Sequence, residues 1–278
     1  MINIGAHQSI ASGYSEAAKI SEKIGANTFQ FFIRNPKDSC INELNAKDIA
    51  VLNEYVSSGK LSNILAHSSY TLNLAGAREQ VHNHSKEIFK SDLDIISKLP
   101  CKLYNIHPGS YTTQNISQGL EKIIVGINEV LKPEHDVFVL LETMSGEGSQ
   151  IGMTFEEIKT IIDNIDLNEK MGVCLDTCHL FSAGYDIVNN LDKVLEDFNN
   201  LIGIDRIKAM HLNDSQNPLG SYRDNHANIG KGYIGIDAFE RIINHKELRH
   251  LPMYLETKNI SNEHEEEIKL LRSLEASL

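Results

Sequence analysis

Histidine, aspartate and glutamate residues follow directly on six apolar segments of the chain. The stretch MGVCLDTCHLFSAGYD, residues 171–186, ends its apolar run in Asp176 and His179. Five other runs end in the same way, in His67 after NILA, His107 after LYNI, Glu142 after VFVLL, His211 after IKAM and Glu256 after MYL. A glycine-rich loop, residues 220–235, adds Asp224 and His226. Imidazole and carboxylate groups without thiolates are typical of catalytic zinc sites, which keep one coordination position open for water.

These potential ligands are too many for one metal ion. They suit three ions with three or four ligands each, provided that a carboxylate is shared. Four carboxylates against three divalent cations leave a positive site, which would attract an anion such as a phosphodiester. Two ions about 3.5–4 Å apart can activate a hydroxide and hold both the attacking and the leaving oxygen of an in-line displacement. The shared carboxylate would be the candidate for the catalytic group.

The spacing of the apolar runs indicates the fold that carries these residues. Successive ligand-bearing ends lie roughly 34 to 45 residues apart, which is the length of one strand and one crossover helix. INIGAHQS, residues 2–9, and TFQFFI, residues 28–33, supply two further strands. We therefore predict an α/β fold, a single (β/α)8 TIM barrel with a metal cluster at the C-terminal mouth of the strands. At 278 residues the chain suits one domain, residues 1–278.

The alternation of side chains along the strands predicts what lies inside the barrel. Phe138, Leu140 and Glu142 share one face of their strand, which must be the interior if Glu142 binds a metal. A buried carboxylate without a cation would be costly, and this favours a metal over a bare acid. The same alternation places Cys174 beneath Asp176, as a small core residue rather than a ligand.

Two further polar residues lie close to the predicted mouth. His7 falls at the tip of the first strand, where we expect a hydrogen-bonded histidine outside the ligand set. Asp214 follows shortly after His211 and could orient it or accept a hydrogen bond in the outer shell of the site.

Charge and hydropathy limit the classes of partner. The net charge of −12 argues against a protein that coats nucleic acid, which usually carries a basic face. It does not exclude DNA, because metal ions can attract a phosphate where lysines are absent. No apolar run approaches the ~20 residues of a membrane span, and the N-terminus lacks a signal-peptide pattern. We expect an intracellular monomer without membrane or obligatory protein partner, cytoplasmic or at the nucleoid in a bacterium.

Two loops on the mouth side offer contacts to DNA. The sequence RNPKDS after the second strand carries Arg34, Asn35 and Lys37, and this basic, turn-rich loop either touches phosphate or is simply solvated. After the third strand, Tyr70 either stacks on a base or caps the core, and Asn73 lies just beyond it. The residues alone leave both pairs of alternatives open.

A series of motifs occurs in order between Ile2 and about Glu256: GAHQS, HSSYTLN, HPGS, LLETMSGEGSQIG, CLDTCH with AGYD, MHLNDS, the D-x-H loop with its following G-x-G, and LET. Together these motifs resemble the endonuclease IV family of apurinic/apyrimidinic (AP) endonucleases. The combination is highly specific, although no single motif would be.

The resemblance implies a TIM barrel with three Zn²⁺ ions, for which Mn²⁺ or Fe²⁺ can substitute, acting on double-stranded DNA that contains abasic sites. Such an enzyme of base excision repair hydrolyses the phosphodiester 5′ to the abasic site, leaves a 3′-hydroxyl and a 5′-deoxyribose phosphate, and trims blocked 3′ ends. The resemblance assigns one zinc to His67, His107 and Glu142, a second to Glu142, Asp176, His211 and Glu256, and a third to His179, Asp224 and His226. Glu142 would then bridge the first two ions, and we expect it to be the catalytic carboxylate. Tyr70 and the loop after the second strand would enter the minor groove and support the flipped-out abasic site.

The chain departs from the family pattern at two positions. Members usually have arginine between the aspartate and histidine of the D-x-H loop, where this chain has Asn225, and the loop after the second strand often carries arginine in place of Lys37. Both departures bear on DNA affinity rather than on metal chemistry.

Two other classes of function compete with this assignment. A sugar isomerase or epimerase of the xylose-isomerase type shares the barrel, but it needs only one or two ions and no D-x-H loop. A non-enzymatic zinc- or DNA-binding module is the other class, and the open histidine and carboxylate sets argue against it. Incubation of the metal-loaded protein with an abasic duplex would discriminate among all three.

Overall fold

Eight parallel strands form the central sheet of the protein in a computed structural model, which describes residues 1–35, 41, 44–259 and 262–276. In chain order the strands are β1 (Asn3–Ala6), β2 (Gln30–Phe32), β3 (Leu65–His67), β4 (Leu103–Ile106), β5 (Phe138–Glu142), β6 (Met171–Asp176), β7 (Ile207–His211) and β8 (Pro252–Leu255). Their order in the sheet is β1-β8-β7-β6-β5-β4-β3-β2. This arrangement confirms the predicted TIM barrel.

Every strand is followed by at least one helix, as the crossover between parallel neighbours requires. The helices are α1 (Tyr14–Lys23), α2 (Ala46–Ser57), α3 (Glu79–Ile96), α4 (Ile116–Val130), α5 (Phe155–Asp163), α6 (Thr177–Ala183), α7 (Leu191–Leu201), α8 (Ile236–Asn244) and α9 (Glu263–Ser273). Local signals fix where some of them begin. Asn115 and Gln118 form a capping box at the start of α4, and the carboxylate of Asp176 accepts from the backbone N–H of His179 at the start of α6. Among the described residues, no helix is long and apolar enough to cross a membrane.

The barrel interior consists of two stacked layers of side chains. The lower layer is a cluster of buried side chains, one from each of six strands: Leu65, Leu103, Leu140, Cys174, Ala209 and Tyr254. The upper layer comes two residues later along each of the same strands or directly after it: His67, Asn105, Glu142, Asp176, His211 and Glu256. Because strand side chains alternate, both layers point inward. The predicted alternation of Leu140 and Glu142, and the position of Cys174 beneath Asp176, are confirmed. Phe138, which was assigned to the same interior face, is 37 % exposed, because it is the first residue of β5 and lies below the layer of Leu140.

The barrel closes between β1 and β2 through a narrow seam. The seam has a parallel bridge between His7 and Gln30, in which the backbone N–H of Gln8 donates to the Gln30 carbonyl at 2.8 Å. His7 is an interior histidine, as expected, with Nδ1 3.1 Å from the Gln30 side-chain nitrogen. Burial lowers the pKa of His7 to about 4, so its ring is neutral at physiological pH.

Gly5 allows the close approach of the two strands at this seam. A Cβ atom at position 5 would lie 1.9 Å from the carbonyl oxygen of Thr28, which is a backbone atom that cannot rotate away. We expect Gly5→Ala to lower the free energy of unfolding by about 3 kcal/mol or more, at the upper end of typical overpacking costs. Urea unfolding of the metal-free protein would measure the change.

Gly25→Ala is the matched control for this prediction. Gly25 has a positive φ of 79°, but no atom lies within 4 Å of the position that an added methyl group would take. Its substitution should cost only the left-handed backbone penalty, about 1–2 kcal/mol. Equal losses at the two positions would show that the seam is not tightly packed at Gly5.

Candidate metal centre

A cleft of about 440 Å³ opens at the C-terminal ends of the barrel strands. Its walls carry most of the predicted ligands together with residues of the surrounding loops: His67, Tyr70, His107, Glu142, His179, Gln216, Asp224, Asn225, His226, Glu256 and Lys258. Asp176 and His211 are fully buried at its base. The structure therefore brings together all nine residues that the sequence analysis selected as potential ligands.

The carboxylate of Glu142 lies at the centre of this group and is fully buried. Its Oε2 atom is 3.2 Å from His67 Nε2 and 3.3 Å from His107 Nε2. Its Oε1 atom is 3.2 Å from both His211 Nδ1 and His179 Nδ1. Because the two oxygens face different imidazoles, this single carboxylate is placed to join two neighbouring cation positions.

Several sets of potential ligand atoms come within 4.8 Å of one another, close enough to surround one ion. The sets among the described residues are His67, His107 and Glu142; Glu142, Asp176, His211 and Glu256; Asp176, His179 and His226; and His67, His211 and Glu256. Asp224 adjoins the third set, since its Oδ1 lies 3.1 Å from His179 Nε2 and 3.2 Å from His226 Nε2.

Hydrogen bonds at the far side of each ring determine which nitrogen faces the cleft. Nδ1 of His67 donates to the Ser68 carbonyl at 2.7 Å, and Nδ1 of His179 donates to the Thr143 carbonyl at 2.8 Å. Both rings therefore present Nε2 as the ligand atom. His211 is reversed, because its Nε2 lies 2.8 Å from Gln30 Oε1 and its Nδ1 faces the carboxylates.

The donor set fits metal ions better than it fits an empty polar pocket. Nε2 of His179 and Nε2 of His226 are buried, and although Asp224 Oδ1 lies 3.1 and 3.2 Å from them, neither nitrogen makes a hydrogen bond of good geometry within the described part of the chain. A buried polar atom without a partner costs about 1–3 kcal/mol, and coordination to a cation removes that cost. Imidazoles with carboxylates and no thiolate form the open type of site that divalent transition metals occupy in enzymes.

The pKa shifts of the residues in the cleft also indicate a site for cations. Burial alone would raise the pKa of Glu142, but the imidazoles of His211 and His107 hold it well below its usual range. Burial alone would lower the pKa values of His179 and His211, yet the carboxylates around them raise both well above the usual range. The buried carboxylates therefore require positive charge close to them, and either protons on the imidazoles or bound cations can supply it.

Three amide side chains in the barrel mouth were missed by the sequence analysis. Asn105 Nδ2 donates to Glu142 Oε2 at 2.6 Å. Asn213 Nδ2 donates to Asp176 Oδ2 at 2.7 Å and to Glu256 Oε2 at 3.2 Å, and Gln30 contacts Glu256 and His211. Two of the three could have been found, because Asn105 and Gln30 occupy the inward-facing position of a strand at the level of the ligands.

Asp214 does not play the role that we considered for it. Its buried carboxylate accepts from the backbone N–H groups of Gly232, Ile234 and Gly235 at 2.9–3.3 Å, and so it holds the loop before α8. The reason is local: Asn213 faces the ligands, and the next residue in an extended chain points the opposite way.

Some of the residues proposed to contact DNA are exposed in the structure, and others are buried. Tyr70 is 64 % exposed at the rim and therefore does not cap the core, and Asn35 is also exposed. Arg34 is only 8 % exposed, and its Nε donates to Asp92 Oδ1 at 2.6 Å. As a DNA contact Arg34 is supported less well than Asn35.

Asn73 and Lys37 complete the group of residues proposed to contact DNA. Both ends of the Asn73 amide bond the backbone of Ser110, which explains its position structurally without testing a DNA contact. Lys37 lies outside the described residues.

Asn225 is exposed on the cleft wall, where its amide donates to the Asp224 carbonyl at 2.8 Å and accepts from Asn217.

Comparisons with known proteins agree with this geometry. The family described as "Xylose isomerase-like TIM barrel" matches residues 18–274. The chain is 50% identical over 272 residues to "Probable endonuclease 4" of Alkaliphilus oremlandii, covering 98% of this chain and 97% of that protein. It is 47% identical to "Probable endonuclease 4" of Methanosphaera stadtmanae, covering 99% of both.

Solved structures show the same relationship. The crystal structure of endonuclease IV from Thermus thermophilus matches with a TM-score of 0.86 and 28% identity, over 98% of both chains. A D-tagatose 3-epimerase-like protein matches with a TM-score of 0.73 and 19% identity, over 97% of this chain and 96% of that one. At that identity the second likeness shows the fold alone.

The shared position of Glu142 leads to a prediction about metal affinity. Glu142→Gln should weaken binding at two cation positions, whereas His107→Gln should weaken it at one, because Glu142 belongs to two ligand sets and His107 to one. At each affected site the metal affinity should fall at least about tenfold, since loss of an outer-shell partner alone typically lowers metal affinity by that much. Titration of Zn²⁺ against a competing chelator would count the affected sites. If both variants lost affinity at the same number of sites, the bridging position of Glu142 would be refuted.

Proposed function

This chain belongs to the endonuclease IV family of AP endonucleases, and we propose that it repairs DNA by hydrolysing the phosphodiester 5′ to an abasic site in duplex DNA. The products would be a 3′-hydroxyl and a 5′-deoxyribose phosphate, and blocked 3′ ends would be trimmed in the same cleft. The observation that carries the proposal is the convergence of nine histidine and carboxylate side chains in one open cleft around Glu142.

We assign three Zn²⁺ ions to this cleft, with Mn²⁺ or Fe²⁺ as possible substitutes. His67, His107 and Glu142 would hold the first ion, and Glu142, Asp176, His211 and Glu256 would hold the second. His179, Asp224 and His226 would hold the third, which is supported by the approach of both Nε2 atoms to Asp224 Oδ1. Bound in this way, divalent ions supply a nucleophile at neutral pH and stabilise charge on the attacking and leaving oxygens.

The chain's own residues prepare the cleft for this chemistry. Asn105 and Asn213 fix the carboxylates of Glu142 and Asp176 by hydrogen bonds of 2.6 and 2.7 Å, so these groups need no reorganisation when a substrate arrives. The apolar layer that includes Leu140 and Tyr254 closes the barrel beneath them and keeps water out from below. Only the mouth side is open to a phosphodiester.

Aromatic and cationic groups at the rim support the assignment of DNA as the substrate. The exposed ring of Tyr70 lies 5.1 Å from the Phe32 ring and 5.8 Å from the His107 ring, directly beside the ligands. Stacking of one base on such a ring is worth about 1–3 kcal/mol. Lys258 on the cleft wall provides a positive charge for the DNA backbone. We propose Asn35 and Lys37, which follow β2 in the sequence, as further DNA contacts.

The origin of the ligands and the nature of the substrate bear on the oligomeric state and the location of the protein. We propose that residues 1–278 act as one catalytic domain and as a monomer, because all nine ligands come from one chain. Since its substrate is duplex DNA, the enzyme would work inside the cell at the chromosome.

Incision of an abasic duplex would test the function directly. The metal-loaded protein should cut a duplex with one abasic site on its 5′ side, with about three transition-metal ions per chain by elemental analysis. Chelation should abolish cleavage and metal restoration should return it, while an otherwise identical undamaged duplex serves as the control. Full activity at a stable stoichiometry of one ion would contradict the three-ion assignment, and cleavage by Glu142→Gln within tenfold of wild type would refute the catalytic role of Glu142.

Asn225 gives a second prediction, about DNA affinity. An arginine at this exposed position on the cleft wall can form charge-assisted hydrogen bonds to a phosphate, which asparagine cannot replace in charge. Asn225→Arg should tighten binding to an abasic duplex and steepen the dependence of log K on log salt by up to about one unit. Catalysis at saturating DNA should barely change, because Asp224 and His226 are retained.

A salt titration of both proteins on the same duplex measures this effect. Asn225→Gln is the matched control, since it lengthens the side chain without adding charge and should leave the salt slope unchanged. An unchanged slope for the arginine variant would show that position 225 does not meet a phosphate.

A further inference from the structure

Gln30 is a buried polar residue at the barrel seam that connects three groups of the mouth. It is fully buried on β2, at the level of the ligands from the other strands. Its Nε2 donates to Glu256 Oε1 at 2.5 Å, and its Oε1 lies 2.8 Å from His211 Nε2. Its Nε2 also lies 3.1 Å from His7 Nδ1.

Only one orientation of the Gln30 amide satisfies these neighbours. The Glu256 carboxylate can only accept, so the amide nitrogen must face it. The amide oxygen then faces His211, and His211 Nε2 must carry the proton that it donates. The second amide hydrogen points to His7, whose Nδ1 accepts it. Gln30 thereby keeps a proton of His211 on Nε2 and leaves Nδ1 as the nitrogen that can bind a cation in place of its proton.

That nitrogen is the one surrounded by carboxylates. His211 Nδ1 lies 3.2 Å from Glu142 Oε1, 3.3 Å from Glu256 Oε2 and 3.7 Å from Asp176 Oδ2. The Oε2 atom of Glu256 is turned towards the same point because its Oε1 atom is bonded to Gln30. The Gln30 amide therefore orients two residues of one ligand set, His211 and Glu256.

We propose that Gln30 is a positioning residue for the ion at Glu142, Asp176, His211 and Glu256, and that it sets the affinity of this ion without touching it. The inference rests on the ligand set assigned under the proposed function. Outer-shell partners of histidine ligands fix the ring and tautomer, and their loss typically lowers metal affinity or activity about 10- to 100-fold. The ligand sets assigned to the other two ions do not include His211 or Glu256, so Gln30 should act on one ion of the three.

Gln30→Met tests the proposal, because it removes all three hydrogen bonds of the amide while keeping the length of the side chain and nearly its volume. Zn²⁺ titration against a chelator should show one dissociation constant raised about 10- to 100-fold and the other two unchanged. In the incision assay, kcat should fall while KM for the abasic duplex stays the same, since Gln30 lies below the DNA-facing rim. Gln30→Asn, which is one methylene too short to reach both partners, should show the same pattern and serves if the methionine variant does not fold.

Thr28→Val is the matched control. Thr28 is equally buried two residues earlier in the chain, and its hydroxyl donates to the Asn63 carbonyl at 3.1 Å rather than to a ligand. It should alter stability but none of the three dissociation constants. The proposal is overturned if both Gln30 variants bind all three ions as wild type does, or if Thr28→Val weakens the same ion equally. A wild-type protein that binds zinc but leaves abasic DNA intact would refute the proposed function instead, and the zinc titration would still decide the role of Gln30.

Discussion

The buried carboxylate of Glu142 is the group on which the arrangement of the mouth depends. A carboxylate without exposure to water needs hydrogen bonds and positive charge around it, since its desolvation is otherwise far too costly. The protein meets this need with four imidazoles within 3.3 Å and the amide of Asn105. These groups come from β3, from β4 and the residue after it, from α6 and from β7, so satisfying one carboxylate fixes the relative height of several strands. Because the carboxylate is stabilised by positive charge, the cleft is also suited to binding cations.

The sequence predicted the barrel and the residues that meet in its mouth because both follow from local regularities. Apolar runs that end in His67, Glu142 or His211 mark strand tips, and parallel strands bring their C-terminal ends to one side. Period-two alternation was enough to place Cys174 in the core beneath Asp176. These inferences needed no knowledge of which strands are neighbours.

What the sequence could not show depends on partners that are distant in the chain. Gln30 meets His211 from a position 181 residues away, and Arg34 turns inward because Asp92, on a helix, offers it a buried carboxylate. Asp214 was misjudged for a different reason: it adjoins Asn213 in sequence but faces the opposite side of the chain. Residue type and spacing therefore identify the groups that can bind metal, whereas the groups that orient them emerge only from the closed barrel.

The position of β8 beside β1 has a consequence for the newly synthesised chain. Glu256, at the end of β8, is made about 190 residues after His67, which corresponds to roughly 10 to 40 s at ordinary rates of translation. Until Glu256 has been added, the ligand set that it forms with Glu142, Asp176 and His211 is incomplete, whereas His67 and then His107 have already been made. Ions captured early by the unfolded chain would stabilise it rather than the native state. The complete set of nine potential ligands therefore exists only after β8 has been synthesised and the barrel can close.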